Sequence, residues 1–565
     1  MTQGITAIIM VRKKITNGVG KMRKPLLVIL VANALGTSSM LSAGELSFAP
    51  ALDTSLVQQK YTFASDTQRD INTLVVTPSF TAEYVARKFT LGATASHTQQ
   101  ESNVDEDTQE DSFTSYRVNG EFFIVDRLLY ITAASTQNYQ SFNPNQFAVE
   151  DFLFRDTPLR KNTRQQISVN SNVQNNDYIN GNLQAFFSDF NIAALETEVS
   201  DRESSTSGFS AQLRQGDDSK AMTWSLLFNQ QDSEQFSTND LSTRYAQLTT
   251  NFRVFSDVGL TATAQTEQNE VTGTTQDFSQ LRDFSSVGLG INYSPSANRI
   301  IALTYNQGTT DGLNGVADEE VNFVAGSIDW AFSSRTLLNL TASKRFYGRS
   351  ANGTFSYNTK YWRASAMRSE TVTSTSRLLN EGSSLETFVC PAGGGSVGDC
   401  FLPDTLDYTL GAGENFVNFL QPNISLEDSI ILRKNTVLSV GYQKRKLSLS
   451  FSASVNEDEN QANLVTTETE SKNASITYKV GARSSLSLTW TDSETTRIDN
   501  DNNTLSGNTD KVALKFERTF GRDWSANTEL ANINREGFVP GFATQGDELK
   551  DKRFSVGLSY QPKLK

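Results

Sequence analysis

The chain has 565 residues, a formal net charge of −13 and 37% hydrophobic residues, with two cysteines and one histidine. So few thiols and imidazoles argue strongly against a zinc site, an iron–sulfur cluster and a Cys/His catalytic pair. The acidic balance argues against nucleic acid as a partner, because its binders carry basic stripes.

The first element in chain order is an export signal. Met22-Arg23-Lys24 is a short basic start, Leu26 to Leu35 is mostly apolar, and Leu41-Ser42-Ala43 offers small residues for cleavage. Residues 1–43 are read as a signal peptide that starts at Met1 or at Met22. The apolar part is too short to span a bilayer comfortably. After residue 43 no apolar run approaches the roughly 20 residues of a transmembrane helix. The mature chain, 44–565, is expected to leave the cytoplasm as one domain.

From Leu46 onward, apolar and polar residues alternate in short runs, the signature of strands with one face of each kind. Runs include Leu74–Val85, Phe89–Thr98, Tyr116–Val125, Leu128–Tyr139, Val287–Tyr293, Leu337–Phe346, Leu447–Val455, Val512–Phe520 and Phe554–Tyr560. The stretches 163–231 and 354–373 are less regular. Connections alternate between two kinds. Short, mostly basic ones include Ala86-Arg87-Lys88, Ser333-Ser334-Arg335, Lys444-Arg445-Lys446 and Gly521-Arg522-Asp523. Long, acidic ones are expected at 101–111, 230–240, 306–320, 456–461 and 491–510. A soluble sandwich has no need of this asymmetry, whereas an outer-membrane barrel has short periplasmic turns and long outer loops. Lipid allows no open sheet edge, so such strands must close. The expected fold is all-β: a single large antiparallel transmembrane β-barrel of about 24 strands (range 20–26).

The longest stretch without alternation, about 374–427, carries Cys390 and Cys400. An oxidising compartment favours a disulfide between them. Closing so short a loop contributes on the order of 2–3 kcal/mol in the chain-entropy model. The stapled segment is either a lid or inward constriction, or an ordinary surface loop. Asp499, Asp501, Asn503 and Asp510 approach calcium-loop spacing, but Thr504 stands where a Gly is expected, and an acidic hairpin loop is the reading.

No phosphate loop, nucleophile elbow or metal-ligand cluster is present. His97 shares parity with Phe89, Leu91, Ala93 and Ala95, so it faces lipid near the outer rim. Catalysis there would need a serine nucleophile on a neighbouring strand; a rim histidine without a role is the reading adopted. No catalytic residue, metal or cofactor is therefore assigned. Opposite the apolar faces lie the lumen-lining candidates Arg117, Glu121, Arg253, Arg345, Lys479, Lys515 and Glu517, among Ser, Thr and Asn. Such a lining suits a water-filled or loop-plugged interior.

The openings FAPALDTSLVQQKYTF and TPSFTAEYVARKFTLGATASHT, the segment SLEDSIILRKNTVLSVGYQKRKLSLSFSASVNED and the closing FSVGLSYQP resemble the outer-membrane β-barrels associated with PEP-CTERM/exosortase systems. The resemblance implies an envelope component acting beside polysaccharide synthesis and protein sorting, with no catalytic motif to carry over. Expected partners are outer-membrane lipid and lipopolysaccharide, an exported polysaccharide and periplasmic export components. A general diffusion porin is the alternative, and an outer-membrane lipid hydrolase the third reading.

Overall fold

The computed structural model describes residues 44–562, apart from 64–67, 105–106, 127, 143–147, 150–152, 154–158, 175, 194–200, 217–221, 236–239, 274–280, 297–298, 312–317, 382–387, 392–413, 418–428, 499–503 and 538–547. The predicted signal peptide lies outside the described residues. Among the described residues, 24 strands form one antiparallel ring. Each long strand pairs with the next long one in sequence, from Glu45–Phe63 on Gln68–Ala86 to Trp524–Gly537 on Leu549–Tyr560. The first strand then pairs with the last, Leu52 opposite Tyr560 and Phe63 opposite Leu549. Closure removes every edge, as lipid requires.

Exposure runs opposite to that of a soluble protein. In Phe284–Ser296 the outward Val287, Leu289 and Ile291 are 60–74% exposed, while the inward Ser286 and Asn292 are buried. Aromatic pairs gather where the short turns are: Trp362 with Tyr442 at 4.7 Å and Trp524 with Tyr560 at 4.8 Å between ring centroids. Lys444 Nζ lies 5.3 Å from the centre of the Tyr361 ring. A closed ring with an apolar belt and an aromatic and basic rim is the surface that a membrane-spanning β-barrel turns toward lipid.

The less regular stretches resolve into Leu159–Val173, Ile179–Ile192, Arg202–Gln215 and Met222–Glu234, and into Gly348–Asn358 and Trp362–Ser374. Ile179–Ile192 shows why alternation fades there. Phe187 is exposed outward, while Phe190 and Ile192 are buried on the opposite face, so both faces carry apolar residues.

The long acidic loops are shorter than expected, because strands run through them. Phe89–Val104 and Asp107–Val125 occupy nearly all of 101–111, and Leu447–Asn460 absorbs most of 456–461. Ser484–Ile498 and Thr504–Phe520 take much of 491–510. Asp510 is therefore a strand residue, and the rest of the calcium-like spacing, 499–503, lies outside the described residues. Strands reach 19 residues. At about 3.3 Å per residue and a tilt of roughly 40° they rise some 45–50 Å, against an apolar band of about 25 Å. Above that band both faces meet water, so polar residues can hold the pairing through cross-strand charges. Arg433 Nη2 lies 2.6 Å from Asp458, and Lys434 Nζ lies 2.8 Å from Glu457.

The wall also has a corner. In Phe284–Ser296 a Cβ on Gly288 would lie 1.8 Å from Asn306 Oδ1, and one on Gly290 would lie 1.9 Å from the Leu303 carbonyl oxygen. The bare backbone lets Thr263 Oγ1 donate to Asn306 Oδ1 at 2.8 Å across the intervening strand. Two strands that are not neighbours thus touch, and the sheet bends sharply inward at this point.

The segment expected to lack alternation, about 374–427, begins with a short helix, Thr375–Glu381, and contains a pair of four-residue strands, Phe388–Pro391 and Glu414–Val417. Cys390 pairs with Asn415 in that ladder. Cys400 lies outside the described residues, and the expected disulfide with it.

Candidate functional site

The lumen begins with the hydroxyl face that alternation assigned to the interior. Ser450 Oγ lies 2.7 Å from Ser475 Oγ, Ser471 Oγ 3.2 Å from Ser493 Oγ, and Thr477 Oγ1 3.1 Å from Ser487 Oγ. Registered pairing sets these hydroxyls opposite one another on successive strands. Ser439, Ser452, Ser454, Ser475 and Thr477 are buried. The serine face is thus inward, as expected, but on this sector it is packed rather than bathed in water. On Met222–Glu234, by contrast, inward Ser225, Leu227 and Asn229 are exposed.

Arg117 and Glu121 share the inner face of Asp107–Val125, where Arg117 is exposed and Glu121 half-buried. Arg253 and Lys479, both exposed, lie at the short-turn ends of Asp240–Arg253 and Thr466–Gly481. Lys515 Nζ and Glu517 Oε2 are 3.7 Å apart on one strand. The fold does not gather these residues into one constellation. Arg345 is the exception, because it organises a cluster of its own.

Arg345 ends the ten-residue strand Thr336–Arg345, and Tyr347 sits in the tight turn that follows. The guanidinium forms a two-pronged pair with Glu267, Nε to Oε2 at 2.8 Å and Nη2 to Oε1. Nη1 donates to Tyr347 Oη at 3.2 Å and to the Glu370 carbonyl oxygen at 2.9 Å. The Tyr245 and Tyr347 rings sandwich the cation, 5.4 and 5.2 Å from their centres. Tyr347 Oη lies 3.2 Å from Glu370 Oε2, and Arg368 Nη2 donates to Glu370 Oε1 at 2.9 Å. Glu267 and Glu370 are nearly solvent-free, at 2% and 3% exposure. Two guanidiniums and two carboxylates balance, so the cluster has no net charge to attract a permeating ion. It ties Val258–Thr272 to Thr336–Arg345 and to Trp362–Ser374, strands that are not adjacent in the ring.

A second tie crosses the mouth. The helix Thr375–Glu381 leaves Trp362–Ser374 and packs against Ile179–Ile192 and Arg202–Gln215, far around the ring. Its Arg377, 2% exposed, donates to Ser233 Oγ at 2.9 Å and to Thr243 Oγ1 at 3.0 Å. It also reaches the Gln231 and Leu241 carbonyl oxygens at 3.4 Å. Beside it, Leu241, Val372, Ile430 and Leu432 form a buried apolar cluster, with Phe346 and Tyr347 packed on it. Opposing walls therefore meet at the outer end, and the mouth is drawn together by an ion-pair cluster, an apolar seal and a buried arginine. Sequence reading found Arg345 by parity. It missed Tyr245, Glu267, Glu370 and Arg377, whose only sequence signal is a charge or ring on an inward or loop position.

At the outer rim, burial and neighbouring Asp283 and Asp318 push the Asp311 carboxyl up. His97 faces outward as expected, with Nδ1 2.9 Å from Thr114 Oγ1. Among the described residues no group of His, Cys, Asp and Glu is placed to hold a metal ion.

No family model matches the sequence, and no curated protein does. Solved structures do match along most of the chain. The FrpB iron transporter from Neisseria meningitidis (F3-3 variant) is 9% identical, with a TM-score of 0.42, over 93% of this chain and 83% of that one. The siderophore receptor PirA from Acinetobacter baumannii is 8% identical, with a TM-score of 0.40, over 90% and 80%. OccK7 (OpdD) from Pseudomonas aeruginosa is 8% identical, with a TM-score of 0.27, over 91% and 99%. These likenesses carry nothing about cargo, and the barrel assignment rests on this chain's own strand pairing.

Proposed function

We propose that the chain is a non-enzymatic outer-membrane conduit that assists passage or surface assembly of an exported polysaccharide, and that its outer mouth is closed at rest. The observation that carries this reading is the inner face itself. Where that face is open, as at Ser225 and Asn229 of Met222–Glu234, it offers weak, exchangeable hydrogen bonds, which a hydroxyl-rich polymer can slide along without being trapped. The resemblance to barrels of exosortase-linked envelope systems supports the same cargo. The basic, aromatic short-turn rim suits contact with periplasmic export components, and the apolar belt with lipid and lipopolysaccharide.

A general diffusion porin is the weaker reading, because the Arg345 cluster and the Arg377 tie narrow the outer mouth. Planar-bilayer recording separates the two. The purified wild type is expected to be silent, and a large, steady, unselective current would favour the porin. Deleting the gene and measuring cell-free polysaccharide tests the cargo; unchanged export and an unchanged surface coat would remove it.

A further inference from the structure

Away from the mouth, the lumen wall holds a recess of about 330 Å³ where the first and last strands close the ring. Side-chain size builds it. Ala531, Ser555, Gly557 and Ser55 are small residues on the inner faces of three consecutive strands, and they leave a hollow between longer neighbours. Asn527 stands opposite Gly557, where a Cβ would lie 2.8 Å from its Oδ1, so the amide uses the space the glycine leaves. Leu153, from the connection after Leu129–Phe142, lines the recess, and its carbonyl oxygen accepts from Tyr61 Oη at 3.0 Å.

The charged groups around the hollow are of both signs. Lys511 and Lys515 share one face of Thr504–Phe520, and Glu529 is the register partner of Lys515. Glu529 nevertheless makes no ion pair with Lys515, whose ammonium sits 3.7 Å from Glu517 instead. Among the described residues, no ion pair or side-chain hydrogen bond engages Lys511, Glu529, Asp53 or Asn527. Val57 and Val75 supply an aliphatic patch beside them. A pocket at the small end of the usual ligand range, with uncommitted amine, carboxylate and amide groups next to an aliphatic face, matches one ligand chemistry well. That ligand is a sugar ring carrying a carboxylate.

We infer that this seam recess is a saccharide subsite for a uronate-type sugar unit, an inference that rests on the polysaccharide reading only for the polymer to which the unit belongs. Lys511, with Lys515 beside it, takes the carboxylate. Glu529, Asp53 and Asn527 take ring hydroxyls, and the C–H face of the ring lies on Val57 and Val75.

Saturation-transfer NMR on the full-length barrel in detergent, with sodium glucuronate and with glucose as probes, tests the subsite. Glucuronate is expected to bind with millimolar affinity, and glucose about tenfold more weakly. Lys511→Gln and Glu529→Gln should each weaken glucuronate binding about tenfold. Unchanged heat-dependent gel migration would show that both variants are folded. Absence of glucuronate binding to the wild type, equal binding of glucose, or folded variants that bind as the wild type does would each overturn the subsite. The cargo reading fails separately: if gene deletion leaves export unchanged while glucuronate binds at Lys511, the subsite stands and the polysaccharide conduit does not.

Discussion

Arg345 shows how much a single side chain can hold when its partners come from distant strands. Removing one member of a nearly buried ion pair leaves the other charge stranded, a local cost of about 3–5 kcal/mol. Arg345→Ala should therefore loosen the mouth and turn a silent barrel into one with frequent channel openings in planar bilayers. A variant as quiet as the wild type would show that the pair is not the sole latch. Arg377→Ala strips four oxygens of a shared donor and should act in the same direction through the helix Thr375–Glu381. If neither variant conducts but the double variant does, the two ties are redundant. At this scale the sequence was half legible. Parity put Arg345 inside, because side-chain direction is fixed by strand position. Its partner Glu267 lies 78 residues away and is brought close only by the curvature of the wall, which a linear pattern does not encode.

At the scale of elements, the strand Phe284–Ser296 is the corner on which that curvature depends. Gly290→Ala would drive a methyl group into the Leu303 carbonyl, and relieving such overpacking by backbone movement costs about 1–3 kcal/mol. The variant should lose its folded gel form at a lower temperature than the wild type. An unchanged transition would mean that the bend does not need the bare backbone. Alternation identified Val287–Tyr293 as a strand but gave no hint of the bend. It also ended strands too early, as at 101–111, because above the lipid there is no apolar face to mark where pairing continues. Arg433–Asp458 and Lys434–Glu457 mark that continuation, and charge complementarity between neighbouring runs is the signal that could have found it.

For the whole molecule, the even strand count, the short-turn end and the lipid belt were all readable, since each follows from a repeated local rule. Closure at the mouth was not, because it depends on contacts between opposite walls. The net charge of −13 has its own consequence once the mouth opens. Fixed anions enrich cations near a conduit, so the current through Arg345→Ala should be cation-selective. A reversal potential of zero or of the anion-selective sign across a potassium chloride gradient would contradict this.

The seam between Glu45–Phe63 and Leu549–Tyr560 has a temporal meaning as well as a spatial one. Its two sides are the first and last strands of the ring, so they can pair only after the last strand has been delivered. The recess around Ser55 and Ser555 exists only from that moment. Whatever binds there recognises a finished barrel, and its binding would report completed assembly in a way that no single strand could.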